Sequence, residues 1–138
     1  MAKFSFLSQG RWIRTFVYGG MILLISLSQG WGEARADVPA SQKPEVKHLF
    51  DFISQSGCRM VRNGETHDAP DAVKHIQRKY DYYRSDIKTT EDFIDRAATK
   101  SSMSGKRYTV ECPGQKNRPT AQWLKEELNR FRMEGGGS

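Results

Sequence analysis

Two cysteines, Cys58 and Cys112, stand 54 positions apart, and no other feature of the chain limits its folding as sharply. Whether they join depends on the compartment in which the chain folds, and the first 36 residues bear on that. Lys3, Arg11 and Arg14 make a basic start, and Phe16 to Leu27 (FVYGGMILLISL) is an apolar run. Ala34-Arg35-Ala36 then offers the small-x-small pattern that a signal peptidase reads. The run falls short of the ~20 apolar residues that span a bilayer, which disfavours an uncleaved anchor. No Cys stands at the cleavage region, which argues against a lipoprotein. The expectation is a signal peptide over 1–36, an exported mature chain from Asp37, and no membrane span within it.

An exported domain with an even number of cysteines is expected to oxidise them, and two cysteines allow one intramolecular pairing. Closing a loop of that length is worth ~4 kcal/mol by chain entropy, a large share of a small domain's stability. Two thiols without converging histidines make no structural zinc site, and their spacing fits no finger.

Hydrophobic periodicity supplies the elements. Residues 37–43 (DVPASQK) read as a flexible leader. From Pro44, the apolar positions Val46, Leu49, Phe50 and Ile53 recur at helical spacing, and Gly57 stops that helix. Cys58 to Arg62 is a strand closed by the Asn63-Gly64 turn. Asp68 is a good N-cap for a helix that buries Ala72, Val73, Ile76, Tyr80 and Tyr83. Thr89 or Thr90 caps a helix with Phe93, Ile94 and Ala97 inward. Residues 99–106 form a hydroxyl-rich loop, and Arg107 to Glu111 has strand character. Thr120 caps a last helix with Trp123, Leu124, Leu128 and Phe131 on its apolar face, and 134–138 is a flexible tail. The expected fold is α+β: one domain over 44–133, in the order α–β–α–α–β–α, with about four helices around a two-stranded antiparallel ribbon.

The cysteines choose the antiparallel pairing. Parallel strands would leave the two sulfurs' residues ~13 Å apart at ~3.3 Å per residue, beyond disulfide reach. Antiparallel strands bring them face to face, and the register follows. Arg59 then opposes Glu111, Met60 opposes Val110, Val61 opposes Thr109, and Arg62 opposes Tyr108, where the guanidinium can lie on the ring. A one-residue slip loses the charge match and the cysteine match together. At the far end of the ribbon, the Arg62-Asn63-Gly64 turn should meet Ser104-Gly105-Lys106.

The stretches VRNGETHDAPDAVKHI, TTEDFIDRAATKSSMSGKRYTV and WLKEEL, in that order, resemble the YfeK-like proteins, small exported proteins of Gram-negative bacteria whose activity is uncharacterised. The resemblance spans roughly Ile53 to Arg132. It rests on Arg62, Asn63, Gly64, Ala72, His75, Phe93, Ile94, Ala97, Ser101, Ser102, Gly105, Lys106 and Tyr108. It implies a periplasmic location and supplies no catalytic residues.

Charge narrows the partners. The chain has 22 Lys+Arg against 16 Asp+Glu; setting aside Lys3, Arg11, Arg14, Arg35 and Glu33 leaves 18 against 15, with signs interspersed. That surface has no basic stripe, and nucleic acid is not an expected partner. His67 and His75 lie eight apart without a third converging ligand, so no metal is expected. Gly105-Lys106 lacks the spacing of a phosphate loop, no cofactor motif is present, and Ser101, Ser102 and Ser104 lack a nucleophile elbow. Two readings stay open. The first is a binding or accessory module in which Arg62, Asn63, His75, Ser101, Ser102 and Lys106 meet an envelope protein or an anionic envelope component. The second is a small periplasmic hydrolase or transferase using His75 and a loop serine.

Overall fold

The computed structural model describes residues 37–136, so the expected signal peptide lies outside the described residues. Its elements are α1 (Lys43–Gln55), β1 (Arg59–Arg62), β2 (Glu65–His67), α2 (Ala69–Tyr83), α3 (Thr90–Ala97), β3 (Thr109–Glu111), β4 (Arg118–Pro119) and α4 (Thr120–Met133). Short 3-10 turns precede α1 (Ala40–Gln42) and follow α2 (Arg84–Asp86).

The Cys58–Cys112 disulfide is present, with Cα atoms 4.2 Å apart. Beside it β1 and β3 pair antiparallel in the register that the cysteines dictate: Arg59 with Glu111, Met60 with Val110, Val61 with Thr109. The ribbon is nevertheless wider than two strands. The sheet has four antiparallel strands in the order β2-β1-β3-β4. Asn63 and Gly64 take φ values of 53° and 87°, the left-handed pair that folds a strand straight back on itself in a two-residue hairpin. Arg62 therefore pairs with Glu65 in β2, and the β1–β3 ladder stops one residue before Tyr108. Glu65-Thr66-His67 has no apolar alternation, and Arg118-Pro119 is two residues ending in proline. Both are edge strands held by main-chain bonds that composition does not announce.

The helices bury most of each expected stripe, while Phe50, Val73, Tyr83 and Phe131 at the stripe margins are only half-buried. Val46, Leu49 and Ile53 of α1, Ala72, Ile76 and Tyr80 of α2, Phe93, Ile94 and Ala97 of α3, and Trp123, Leu124 and Leu128 of α4 are all buried. Together with Met60 and Val110 from the sheet they make one core. Each fully buried aliphatic side chain contributes roughly 1.5–3 kcal/mol. Asp68 caps α2 by accepting the Asp71 N–H, and Thr89 with Asp92 forms a reciprocal capping box on α3.

Two details depart from the sequence reading. Thr120 is the first residue of α4 rather than its cap, and among the described residues its buried hydroxyl has no partner. The expected leader packs: Val38 is buried, Asp37 accepts a hydrogen bond from the Tyr80 hydroxyl, and the helix begins at Lys43. A single valine in a polar heptad gives no periodic signal, which is why the segment reads as open chain.

Candidate functional site

The middle of α2 faces the 99–108 loop, and several of the polar candidates gather there. Tyr108 is carried inward by its place just before β3, where its N–H bonds to the Thr99 carbonyl and its own carbonyl receives the Thr120 N–H. His75 meets it side-on: His75 Nε2 lies 3.0 Å from the Tyr108 hydroxyl, with the rings edge to face. One turn along α2, Lys79 is 9% exposed, donates from Nζ to the Lys100 carbonyl at 2.6 Å, and lies over the Tyr108 ring at 5.3 Å. The cation on that ring is thus Lys79, where the register had suggested Arg62. Arg62, the last residue of β1, is near enough for its charge to act on His75, Lys79 and Tyr108, and among the described residues its buried Nη1 atom has no hydrogen-bond partner.

Beside these groups lies an open cavity of about 260 Å³ lined by His75, Arg78, Lys79, Tyr82, Tyr83 and Ser102, with Arg62 and Tyr108 outside its lining. Tyr83 closes one side by donating its hydroxyl to Ser102 Oγ at 2.9 Å. The electrostatics are one-sided. Burial first, and then the charges of Arg62, Lys79, Arg78 and His67, push His75 down to about 4. Burial also lowers Lys79 and raises the Tyr108 phenol. Among the described residues neither Arg62 nor Lys79 forms an ion pair. The site is a half-buried cationic cluster around a neutral histidine.

The other sequence candidates divide. Asn63 Oδ1 accepts the Ser104 hydroxyl at 2.7 Å, so the hairpin turn and the loop do meet across 41 positions. Ser101 is buried and serves the loop itself: its hydroxyl accepts the Ser104 N–H, its N–H donates to the Lys106 carbonyl, and its carbonyl receives the Gly105 N–H. Lys106 is exposed and joins through its main chain, while Ser102 reaches the cavity rim. His67 keeps its Nε2 buried, 3.9 Å from Glu65 and without a hydrogen-bond partner among the described residues. Among the described residues no three of His, Cys, Asp and Glu converge as a metal set. The sequence does not single out Lys79 and Tyr83 as site residues, because both sit on the inward side of an amphipathic helix, where a stripe residue reads as core. A lysine in register with that stripe, one turn from His75, was the available signal.

The family of unknown function DUF5329 matches residues 40–132. The chain belongs to this family. It is related to the uncharacterized protein YfeK of Salmonella typhimurium (strain LT2), 36% identical over 76 residues, which are 54% of this chain and 63% of that relative. The match therefore spans less than two thirds of the relative's length. No solved structure matches. The matched DUF5329 segment contains every residue of the His75 cluster.

Proposed function

We propose that the chain is an exported binding or accessory module of the bacterial envelope, and that the His75 cavity receives an anionic group of its partner. One observation carries the reading: Lys79 is drawn in against Tyr108 one turn from His75, the charge of Arg62 acts on both His75 and Lys79, and among the described residues neither cation has a carboxylate partner. Burying an unpaired cation is costly, and a phosphate or carboxylate entering the cavity offsets that cost with charge-assisted hydrogen bonds. A volume of about 260 Å³ suits a head group rather than a whole metabolite. The disulfide and the basic-apolar-AxA segment before Asp37 support the periplasm as its place of work. Mass spectrometry of a periplasmic fraction, with the chain starting at Asp37, tests that location.

Inorganic phosphate and acetate, titrated calorimetrically at low salt, test the cavity. Saturable binding that weakens at least tenfold in Lys79→Met is the expected result, and equal binding by both proteins overturns it. The hydrolase reading keeps one supporting observation, that Ser102 and His75 border the same cavity. Against it, His75 Nε2 is engaged by Tyr108 and Ser102 Oγ by Tyr83. A histidine held at about 4 is also a weak general base at neutral pH. Ester turnover that disappears in Ser102→Ala would favour the enzyme over the binding module.

A further inference from the structure

A second face of α2 carries a different feature, an open groove of about 930 Å³ between α1 and α2. Its floor is apolar, with Val46, Phe50 and Val73, the last two only half-buried by the fold. Its rim is charged, and most of that charge is already used within the chain. Lys47 pairs with Asp51 at 2.5 Å, Arg84 pairs with Asp81 at 2.7 Å, and Asp37 takes the Tyr80 hydroxyl. Lys43, Lys74 and Arg78 are left exposed, and among the described residues none of them has an acidic partner.

We propose that this groove docks an acidic amphipathic helix of a partner protein. An apolar floor with cations on both banks is the complement of a helix bearing one apolar stripe flanked by Asp and Glu. The dimensions agree: the lining residues of α1 run from Lys43 to Ser54, about 17 Å at 1.5 Å per residue, or three helical turns. The free cations are spread along the groove, with Lys43 opening α1 and Lys74 and Arg78 one turn apart on α2. A lipid would place its charge at one end of an apolar chain, whereas a helix displays acids at every turn. The proposal does not rest on the His75 cavity, and Lys43 and Lys74 border the groove alone.

The test uses protein expressed from the sequence above, oxidised at Cys58–Cys112, and a fluorescein-labelled 18-residue helical peptide with Leu at i, i+3, i+4 and i+7, Glu only flanking that stripe and Ala elsewhere, read by anisotropy. Saturable binding is expected, with at least a tenfold loss in the Lys43→Glu/Lys74→Glu double variant. A similar loss is expected when Lys replaces Glu in the peptide or Gln replaces its Leu residues. Matching melting curves for wild type and double variant exclude a folding defect. No saturable binding, or equal affinity for the Glu and Lys peptides, or no loss in the double variant, overturns the proposal. So does capture by phosphatidylglycerol vesicles with the same lysine dependence in the absence of peptide binding, which would assign the groove to a membrane surface.

Discussion

The His75 Nε2 atom lies 3.0 Å from the Tyr108 hydroxyl, joining the middle of α2 to the residue that enters β3. The contact ties the helix layer to the sheet, and it holds the imidazole among cations that disfavour its protonation. Burial is the largest cause, and Arg62, Lys79, Arg78 and His67 add to it.

This predicts an acid-side loss of stability specific to His75. Its folded pKa of about 4 lies below the 6.5 of a free imidazole side chain, so the unfolded chain binds the proton more readily. The stabilisation is fully present above pH 6.5 and is lost as pH falls toward about 4. Melting curves of wild type and His75→Gln should therefore converge as pH drops through that window. A constant difference between them from pH 7 to pH 4 would contradict the buried, cation-flanked histidine.

Arg132 should prove a keystone of the contact between α4, α1 and α3. It donates to Glu45 at 2.7 and 2.8 Å and to Glu91 at 2.5 Å, while Glu45 also accepts the Thr90 hydroxyl in a buried position. The hydrogen bonds from Arg132 hold both carboxyls below their usual range. Arg132→Gln leaves a buried Glu45 without its cation and should cost about 1–3 kcal/mol, less than a fully buried pair because the guanidinium is partly exposed. Chemical denaturation at neutral pH measures it. The penalty should shrink below the ordinary carboxylate range, where Glu45 can take up a proton.

The cysteine bridge and the strand register stand or fall together. Reduction should lower stability by ~2–5 kcal/mol, as for other small disulfide-bonded domains. Because Arg59 faces Glu111, Arg59→Glu should be more destabilising than Arg59→Gln. The effect should be under ~1 kcal/mol and should fade with added salt, since Arg59 is exposed. Identical denaturation midpoints for the two variants at low salt would argue that the pairing contributes nothing.

The parts of this fold that sequence discloses are those set by covalent constraint or by repeated burial. Cys58 and Cys112 imply the β1–β3 register because only one alignment lets them bond. The helices follow from stripes such as Phe93, Ile94 and Ala97. β2 and β4 stay hidden because edge strands rely on main-chain hydrogen bonds, which every residue can make. The Asn63-Gly64 pair was the available clue to β2, since two left-handed residues favour a hairpin over a simple exit into a helix. At the site, His75 and Ser102 were legible as polar groups, but their neighbours were not. Tyr83 and Lys79 sit at core positions of a helix, and which polar atoms meet there depends on tertiary packing of the 99–108 loop against α2.

Lys79 offers the sharpest discrimination between a structural and a binding role for the cavity. Its ammonium bonds to the Lys100 carbonyl and lies over the Tyr108 ring, yet it is buried within reach of the Arg62 charge, and among the described residues it forms no ion pair. Methionine matches its length and removes the charge. In buffer without multivalent anions, Lys79→Met should be as stable as wild type or more so, because the cost of burying the ammonium disappears along with its one hydrogen bond. In phosphate the order should reverse. A ligand at ten times its dissociation constant stabilises the folded state by about 1.4 kcal/mol, which is several degrees of Tm in a domain of this size. Only wild type should gain that increment, and an equal concentration of chloride should not reproduce it. A variant that is less stable than wild type in both buffers, with an unchanged response to phosphate, would make Lys79 a structural strut and leave the cavity without its anion.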